Sequence, residues 1–139
     1  MADNALALSK TDYEAVAYCR STIRRFLRDS EEAARAAGLT PQQHQLLLAV
    51  KGQPGREWAC IGELAEALQI RHHAAVGLVD RCEAAGLVRR APGLRDRRQV
   101  RVLLTGDGEK ALDRLASSIR NELDRLRDGL LPPSLAPGM

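Results

Sequence analysis

The stretch VRRAPGLRDRRQVRVLLT, from Val88 to Thr105, decides how the whole sequence is interpreted. Two short runs rich in β-branched and apolar residues flank a Pro-Gly pair, which predicts two strands joined by a turn. Between Arg89 and Arg101 lie six arginines and one aspartate, a local charge of +5, whereas the whole chain carries only +3 and the remainder about −2. The sequence therefore predicts a projecting hairpin, residues 88–104, that concentrates positive charge and binds nucleic acid.

Length and composition indicate one small domain rich in helix. A chain of 139 residues, 45% of them hydrophobic and only four aromatic, suits a single core built from Leu, Val, Ile and Ala. No apolar run approaches the ~20 residues that cross a bilayer, and the N-terminus lacks the features of a secretory signal. We therefore expect a soluble, cytoplasmic protein with no membrane partner. Residues 1–10 are expected to be a flexible tail and residues 132–139 a disordered one.

The three cysteines form no Cys-x-x-Cys pair and leave one over, which favours reduced thiols over disulfides. The sequence alone does not decide whether Cys19 is redox-active. The histidines and cysteines also lack zinc-ligand spacing, and no phosphate loop or set of nucleophile, base and acid is visible. We therefore expect no cofactor, no metal and no enzymatic activity.

The segment before the hairpin has the pattern of a helix-turn-helix. Residues 61–68 form a short helix with one apolar face, residues 69–71 a tight turn, and residues 72–85 a second helix. Trp58 to Cys60 predicts a short strand. Together with the hairpin these elements predict a winged helix-turn-helix lobe over residues 40–104.

Two long amphipathic helices are predicted at the ends of the chain, over residues 11–37 and 105–131. Thr11 and Glu14 are in capping-box register at the start of the first. The second carries an apolar seam close to a heptad repeat and would be about 40 Å long. Such helices predict a dimerisation layer, with packing inside one subunit as the alternative. The residues assigned to this interface are Tyr13, Val16, Leu115, Ile119, Leu123 and Leu126.

A series of motifs resembles the MarR family of winged-helix transcriptional regulators. The resemblance covers about residues 11–130 and implies a single MarR-like domain over residues 11–131, mainly α with a small β-hairpin wing. It implies a homodimer, with the long terminal helices as the dimerisation layer, whose lobes bind adjacent turns of a pseudo-palindromic double-stranded DNA operator. We expect a repressor that a small-molecule effector releases. The motifs are Gly38-Leu39-Thr40-Pro41-Gln42-Gln43, Ile61-Gly62-Glu63-Leu64-Ala65, Leu78-Val79-Asp80-Arg81, Gly86-Leu87-Val88-Arg89-Arg90, Asp96-Arg97-Arg98 and Leu103-Leu104-Thr105-Gly106-Asp107-Gly108.

The helix over residues 72–85 would enter the major groove with its N-terminal part. Its groove-facing side has no Asn, Gln, Ser or Thr, so His72 and His73 are its best polar candidates. Specificity would then depend heavily on the wing and on DNA shape. The DNA-binding residues expected from this helix and its turn are Arg71, His72, His73, Ala74 and Gly77.

The wing supplies the other expected DNA-binding residues. By analogy with the family, the Asp96 carboxylate would hold the Arg98 guanidinium in a fixed orientation, pointing to the minor groove. Arg95 and Arg97 are better placed for phosphates, because a guanidinium is a planar, permanently charged group.

An effector site and a competing function are the remaining hypotheses. The family often binds a small aromatic or anionic ligand between the helical base and the lobes, and Tyr18, His44 and Trp58 are the expected effector-binding residues, with core packing or ordinary hydrogen bonding as the alternative for each. The competing function is a winged-helix interaction module or a nonspecific nucleic-acid-binding protein. Footprinting that protects a pseudo-palindrome would separate the two functions.

Overall fold

The computed structural model describes residues 7–132 and Ser134. In this part of the chain, strands make up one small sheet and all other regular structure is helical, as the sequence predicts. No helix of the described residues is long and apolar enough to span a membrane. The elements in chain order are α1 (Lys10–Ala36), α2 (Pro41–Lys51), β1 (Trp58–Cys60), α3 (Ile61–Leu68), α4 (His72–Ala84), β2 (Val88–Pro92), β3 (Val100–Leu104), α5 (Gly106–Asp113) and α6 (Ala116–Asp128).

The chain divides into two compact units. The first, named here the lobe unit, runs from Glu32 to Ala116; the second, the helical unit, combines the segment up to Glu31 with the segment from Ser117 onward. The lobe unit holds the hydrophobic core, because its helices and strands each bury one apolar face against the others. Its largest fully buried side chains include Leu46, Leu47, Val50, Leu64, Val79, Val88 and Val102.

The three strands form an antiparallel sheet in the order β1-β3-β2, so the hairpin predicted over residues 88–104 is confirmed. Val88 pairs with Leu104 at one end and Pro92 with Val100 at the other. The connecting loop, residues 93–99, needs a glycine at its start. A Cβ on Gly93 would overlap the carbonyl oxygen of Asp96 and lie 2.8 Å from that of Gln99, so no larger residue fits.

The helix-turn-helix is also confirmed, with α3 and α4 as its two helices. Its turn is tight because Gln69 adopts the left-handed conformation, φ 53°, which is uncommon for a residue other than glycine. Two hydrogen bonds stabilise the turn: the Ile70 N–H donates to the Ala65 carbonyl at 3.0 Å, and Gln69 Nε2 donates to the Glu66 carbonyl at 2.7 Å.

The start of α1 differs from the prediction. The helix begins at Lys10, and the cap is Ser9 rather than Thr11: the Asp12 N–H donates to Ser9 Oγ at 3.1 Å and the Ser9 N–H to Asp12 Oδ2 at 3.0 Å. This reciprocal pair satisfies two N–H groups at once and places Lys10, assigned to a flexible tail, in the helix. Residues 7–9 of that assignment precede the helix, and residues 1–6 lie outside the described residues.

The continuous helix predicted over residues 105–131 is wrong, because a turn at Arg114 and Leu115 separates α5 from α6. Leu115 was assigned to the dimer interface, but it is only 2% exposed and belongs to the core of the lobe unit. The apolar seam therefore serves two purposes: Leu112 and Leu115 pack in the lobe, and only the later residues belong to the helical unit. Of the tail predicted to be disordered, only Pro132 and Ser134 are among the described residues.

Candidate nucleic-acid interface

Helix α4 buries the side predicted from its periodicity. Ala75, Leu78, Val79 and Cys82 are in the core of the lobe unit, and burial raises the pKa of the Cys82 thiol to about 11, which makes it a poor nucleophile at neutral pH. At the N-terminal end of this helix, residues 71–74 are all exposed. The turn thus presents one arginine and two histidines to solvent at the N-terminus of the helix, where the peptide dipoles also favour an anion.

Gly77 lies half-buried, one turn further along α4. A Cβ at this position would meet only Arg81 Nη1, at an ordinary contact distance of 3.5 Å. The lobe itself therefore does not require glycine here, although glycine lowers helix stability by about 1 kcal/mol relative to alanine. The absence of a Cβ also leaves room at this position for close approach of another molecule.

An arginine of the hairpin ties α4 to β2. Arg90 Nη1 donates to Glu83 Oε1 and Arg90 Nη2 to Asp80 Oδ1, both at 2.6 Å, and the Arg90 N–H donates to Glu83 Oε2 at 3.2 Å. Partial burial lowers the pKa of Arg90, but the hydrogen bonds to Asp80 and Glu83 outweigh it and the pKa lies above its ordinary value. Arg90 therefore fixes the second helix of the helix-turn-helix to the wing.

The predicted contact within the wing loop is confirmed. Both the backbone N–H of Arg98 and its Nε donate to Asp96 Oδ1, at 3.0 and 3.3 Å. The Arg98 side chain nevertheless remains 93% exposed, so its terminal nitrogens stay available to a ligand. Arg95 and Arg97 are exposed as well. The loop thus presents three guanidinium groups, one of them in a defined orientation.

A second arginine of the hairpin is also engaged within the lobe. Arg101 Nε donates to the Pro92 carbonyl at 2.9 Å, and the Arg101 guanidinium carbon lies over the Trp58 ring, 5.7 Å from its centroid. Arg56 lies over the same ring at 4.0 Å and pairs with Glu63. The contacts of Arg90 and Arg101 could not be predicted from the sequence, because their partners lie 7 to 43 residues away and leave no local pattern. Some of the arginines counted along the hairpin are therefore engaged in contacts within the lobe.

The effector-binding residues predicted from sequence have different environments. His44 is 1% exposed in α2 of the lobe unit, the environment of the core-packing alternative, and its assignment to a ligand crevice stays a prediction. Trp58 has its ring against two guanidinium groups. Tyr18 lines a cavity of about 290 Å³ in the helical unit. The cavity is further lined by Thr22, Arg25, Arg125, Asp128 and Gly129.

The helical unit exposes several large apolar side chains. Tyr13, Val16, Leu123 and Leu126, all assigned to a dimer interface, are between 43% and 60% exposed, and Ile119 is half-buried. Arg125 Nη2 pairs with Asp29 Oδ2 at 2.6 Å and links α6 to α1. Several large exposed apolar side chains in one small unit favour an interaction site. Among residues 7–132 and 134, no group of three or more His, Cys, Asp or Glu could hold a metal ion.

Comparison with known proteins gives one family and one fold. A model of the MarR family matches residues 37–99, whereas curated protein sequences give no significant match. AbsC, a MarR family transcriptional regulator from Streptomyces coelicolor, is similar with a TM-score of 0.72 and 24% identity over 92% of this chain and 86% of that one.

Two further solved structures share the fold. BpsR from Bordetella bronchiseptica, whose DNA binding is regulated by 6-hydroxynicotinic acid, is similar with a TM-score of 0.61 and 23% identity over 83% of this chain and 79% of its own. A variant of MepR from S. aureus, bound to an oligodeoxyribonucleotide, is similar with a TM-score of 0.58 and 21% identity over 83% and 82%. At these identities the likeness concerns the fold alone.

Proposed function

Since the chain belongs to the MarR family of winged-helix transcriptional regulators, we propose that it is a homodimeric repressor that binds a pseudo-palindromic operator in double-stranded DNA. One observation carries this proposal: Arg90 joins α4 to β2 through Asp80 and Glu83, so the helix with the exposed start and the hairpin with the exposed arginines are held to each other. A surface that spans a helix and a wing fits the major groove and the adjoining minor groove together.

In this proposal the N-terminal part of α4 enters the major groove. The exposed Arg71, His72 and His73 supply hydrogen-bond donors, and Ala74 and Gly77 leave room for close approach to the bases. Because this side of the helix has so few groups that read bases, much of the specificity depends on the wing and on the shape of the minor groove.

The wing arginines divide their tasks according to geometry. Arg98, oriented by Asp96, reaches the minor groove, where a narrow A/T-rich segment concentrates negative potential. Arg95 and Arg97, which are exposed, pair with phosphates. A second copy of the chain binds the second half of the operator. The two copies associate through the exposed apolar residues of the helical unit.

We predict that Arg98→Ala lowers operator affinity by roughly 1–3 kcal/mol, because it removes an oriented guanidinium from the groove. Fluorescence anisotropy with a duplex found by footprinting upstream DNA measures the change. Wild-type affinity should also fall steeply with salt, with a log–log slope of about −0.9 for each phosphate neutralised.

The matched control is Arg114→Ala, which removes the same charge from an exposed position at the end of α5. This variant should bind the operator like the wild type at each salt concentration. Equal losses from Arg98→Ala and Arg114→Ala would mean that only net charge matters. Equal affinity of the wild type for unrelated duplexes would favour the nonspecific nucleic-acid-binding alternative.

For the effector we propose the cavity of the helical unit, with a small aromatic carboxylate as its ligand. Its volume, about 290 Å³, suits one aromatic ring. Arg125 is already paired with Asp29, so Arg25 is the cation available to a carboxylate. The buried Thr22 hydroxyl has no hydrogen-bond partner in the structure, and buried hydroxyls are normally satisfied; a ligand oxygen would accept a hydrogen bond from it.

We predict that 6-hydroxynicotinic acid, used as a probe, stabilises the protein against thermal unfolding, by about 2.7 kcal/mol at one hundred times its Kd. The neutral amide of the same ring is the ligand control and should give a much smaller shift in Tm. Arg25→Gln should remove the effect of the acid. Equal shifts from acid and amide, or an undiminished shift in Arg25→Gln, would exclude carboxylate recognition by this cavity.

A further inference from the structure

We propose that Trp58 is a positioning residue for the wing, acting through Arg101, and that Arg101 itself is an anchor and not a DNA contact. This inference rests on the proposed DNA binding and concerns how the wing is held for it. Arg101 lies in the basic hairpin, where charge alone would assign it to phosphates. Its contacts within the lobe instead assign it to holding the wing in place.

The register of the sheet brings the two side chains together. Trp58 on β1 pairs with Leu103 on β3, and Arg101 is two residues from Leu103 along the same strand. Residues two apart on a strand share a face, so Trp58 and Arg101 are diagonal neighbours on adjacent strands. The Arg101 guanidinium carbon lies over the indole, 5.7 Å from the ring centroid, within the range of a cation–π interaction.

Arg101 also holds the base of the wing loop. Its Nε donates to the carbonyl oxygen of Pro92 at 2.9 Å, and Pro92 is the last residue of β2 before the loop of residues 93–99. One guanidinium therefore connects the indole of β1 with the point where the DNA-binding loop leaves the sheet. Without it, the loop that carries Arg95 and Arg98 would pivot at Pro92 more freely.

The indole is in turn fixed from the helix-turn-helix. Arg56 lies over the same ring at 4.0 Å and pairs with Glu63 on α3. Glu63 Oε1 accepts the Cys60 N–H at 2.9 Å, which caps the first turn of α3. A continuous set of contacts thus runs from α3 through Arg56, Trp58 and Arg101 to the wing. Movement of α3 relative to the sheet would reach the wing loop along these contacts.

The test compares Trp58→Leu, Arg101→Met and the double variant in operator binding. Each single change should weaken binding about three- to tenfold, since both break the same contact. The double variant should bind about as weakly as the weaker single variant, because coupled residues are not additive. Trp58→Phe should recover most of the wild-type affinity, since a phenyl ring also offers a face to the guanidinium.

Salt dependence separates an anchor from a DNA contact. Arg95→Ala removes a proposed phosphate contact and should reduce the log–log salt slope by about 1, whereas Arg101→Met should leave the slope of the wild type unchanged. A reduced slope for Arg101→Met, with losses that add to those of Trp58→Leu, would overturn the proposal and make Arg101 a phosphate ligand. Unchanged affinity in both single variants would overturn it as well.

Intrinsic fluorescence tests the contact without DNA. Trp58 is the only tryptophan of the chain, so its emission reports on its own surroundings, and Arg101→Met should change the emission of the free protein. Identical emission would mean that the contact does not form in solution. If the wild type binds no operator, the proposed function fails, while the fluorescence measurement still tests the contact between Trp58 and Arg101. If Trp58→Leu does not fold, Trp58→Phe and Arg101→Met carry the comparison.

Discussion

Gly108→Ala should destabilise the protein by about 1–2 kcal/mol, against the usual preference of helices for alanine. Gly108 lies in the first turn of α5, and a Cβ there would overlap the carbonyl oxygen of Leu87 and lie 3.3 Å from Leu104 Cγ. The carbonyl cannot retreat easily, because it accepts the Thr105 N–H at 3.0 Å. Overpacking of this kind typically costs 1–3 kcal/mol, more than the ~1 kcal/mol that alanine contributes in an open helix position.

The contacts around Gly108 also bear on DNA binding. Thr105 Oγ1 donates to the Gly86 carbonyl at 2.5 Å and accepts the Gly108 N–H at 3.0 Å. The start of α5 is therefore packed against Gly86 and Leu87, in the segment that connects α4 to β2. Displacement of α5 would disturb the placement of α4 and β2, so Gly108→Ala should weaken DNA binding as well.

Gly106→Ala is the matched control, two residues earlier at the start of the same helix. A Cβ on Gly106 would have no neighbour within 4 Å, so the change should be neutral or stabilising by up to about 1 kcal/mol. Thermal unfolding at one fixed protein concentration measures both variants, since each kcal/mol corresponds to about 3–5 °C for a chain of this size. Equal Tm values for the two variants would show that a Cβ at position 108 does not clash with the Leu87 carbonyl oxygen.

Local patterns predicted those parts of the fold that depend on near neighbours in sequence. The hairpin, the helix-turn-helix and the Asp96–Arg98 contact lie within short segments, whose periodicity and turn residues fix their geometry. The break between α5 and α6 could not be predicted in this way. The heptad seam continues across Leu115 without interruption, and only the lobe core decides that this leucine packs inward.

The same limit applies to the candidate site. Counting charges along the hairpin treats all arginines alike, whereas the structure engages Arg90 with α4 and Arg101 with Trp58. These partners come from other elements, so their identity depends on tertiary packing. The aromatic character of Trp58 suggested a ligand, but its ring is already covered by side chains of the lobe. For His44, the residues alone left a ligand crevice and core packing open, and the packing of α2 buries it.

Leu126→Asp should convert the proposed dimer into monomers and lower operator affinity by about two to four orders of magnitude. Leu126 is 54% exposed on α6, with Tyr13, Val16 and Leu123 exposed in the same unit. In a two-fold symmetric interface each substitution occurs twice, so two leucine contacts are lost, at about 1.5–3 kcal/mol each, and two carboxylates are buried without a partner.

The loss of DNA affinity follows from the loss of the dimer. Two linked lobes bind the second half-site as an intramolecular event, and separation of the lobes removes that effective concentration, which typically contributes 10²–10⁴ in affinity. Sedimentation equilibrium measures the oligomeric state, and footprinting should show protection of one half-site only. Circular dichroism should remain close to that of the wild type, because Leu126 lies outside the core of the lobe unit.

Asn121→Asp controls for the added charge. Asn121 is exposed on the same helix, two residues from both Ile119 and Leu123, which places it on the side of α6 opposite the apolar seam. This variant should remain dimeric and bind the operator normally. If both variants are dimeric with normal affinity, α6 does not form the interface; if both are monomeric, charge repulsion and not the apolar contact controls assembly. Only dissociation confined to Leu126→Asp assigns the exposed leucines of α6 to the dimer.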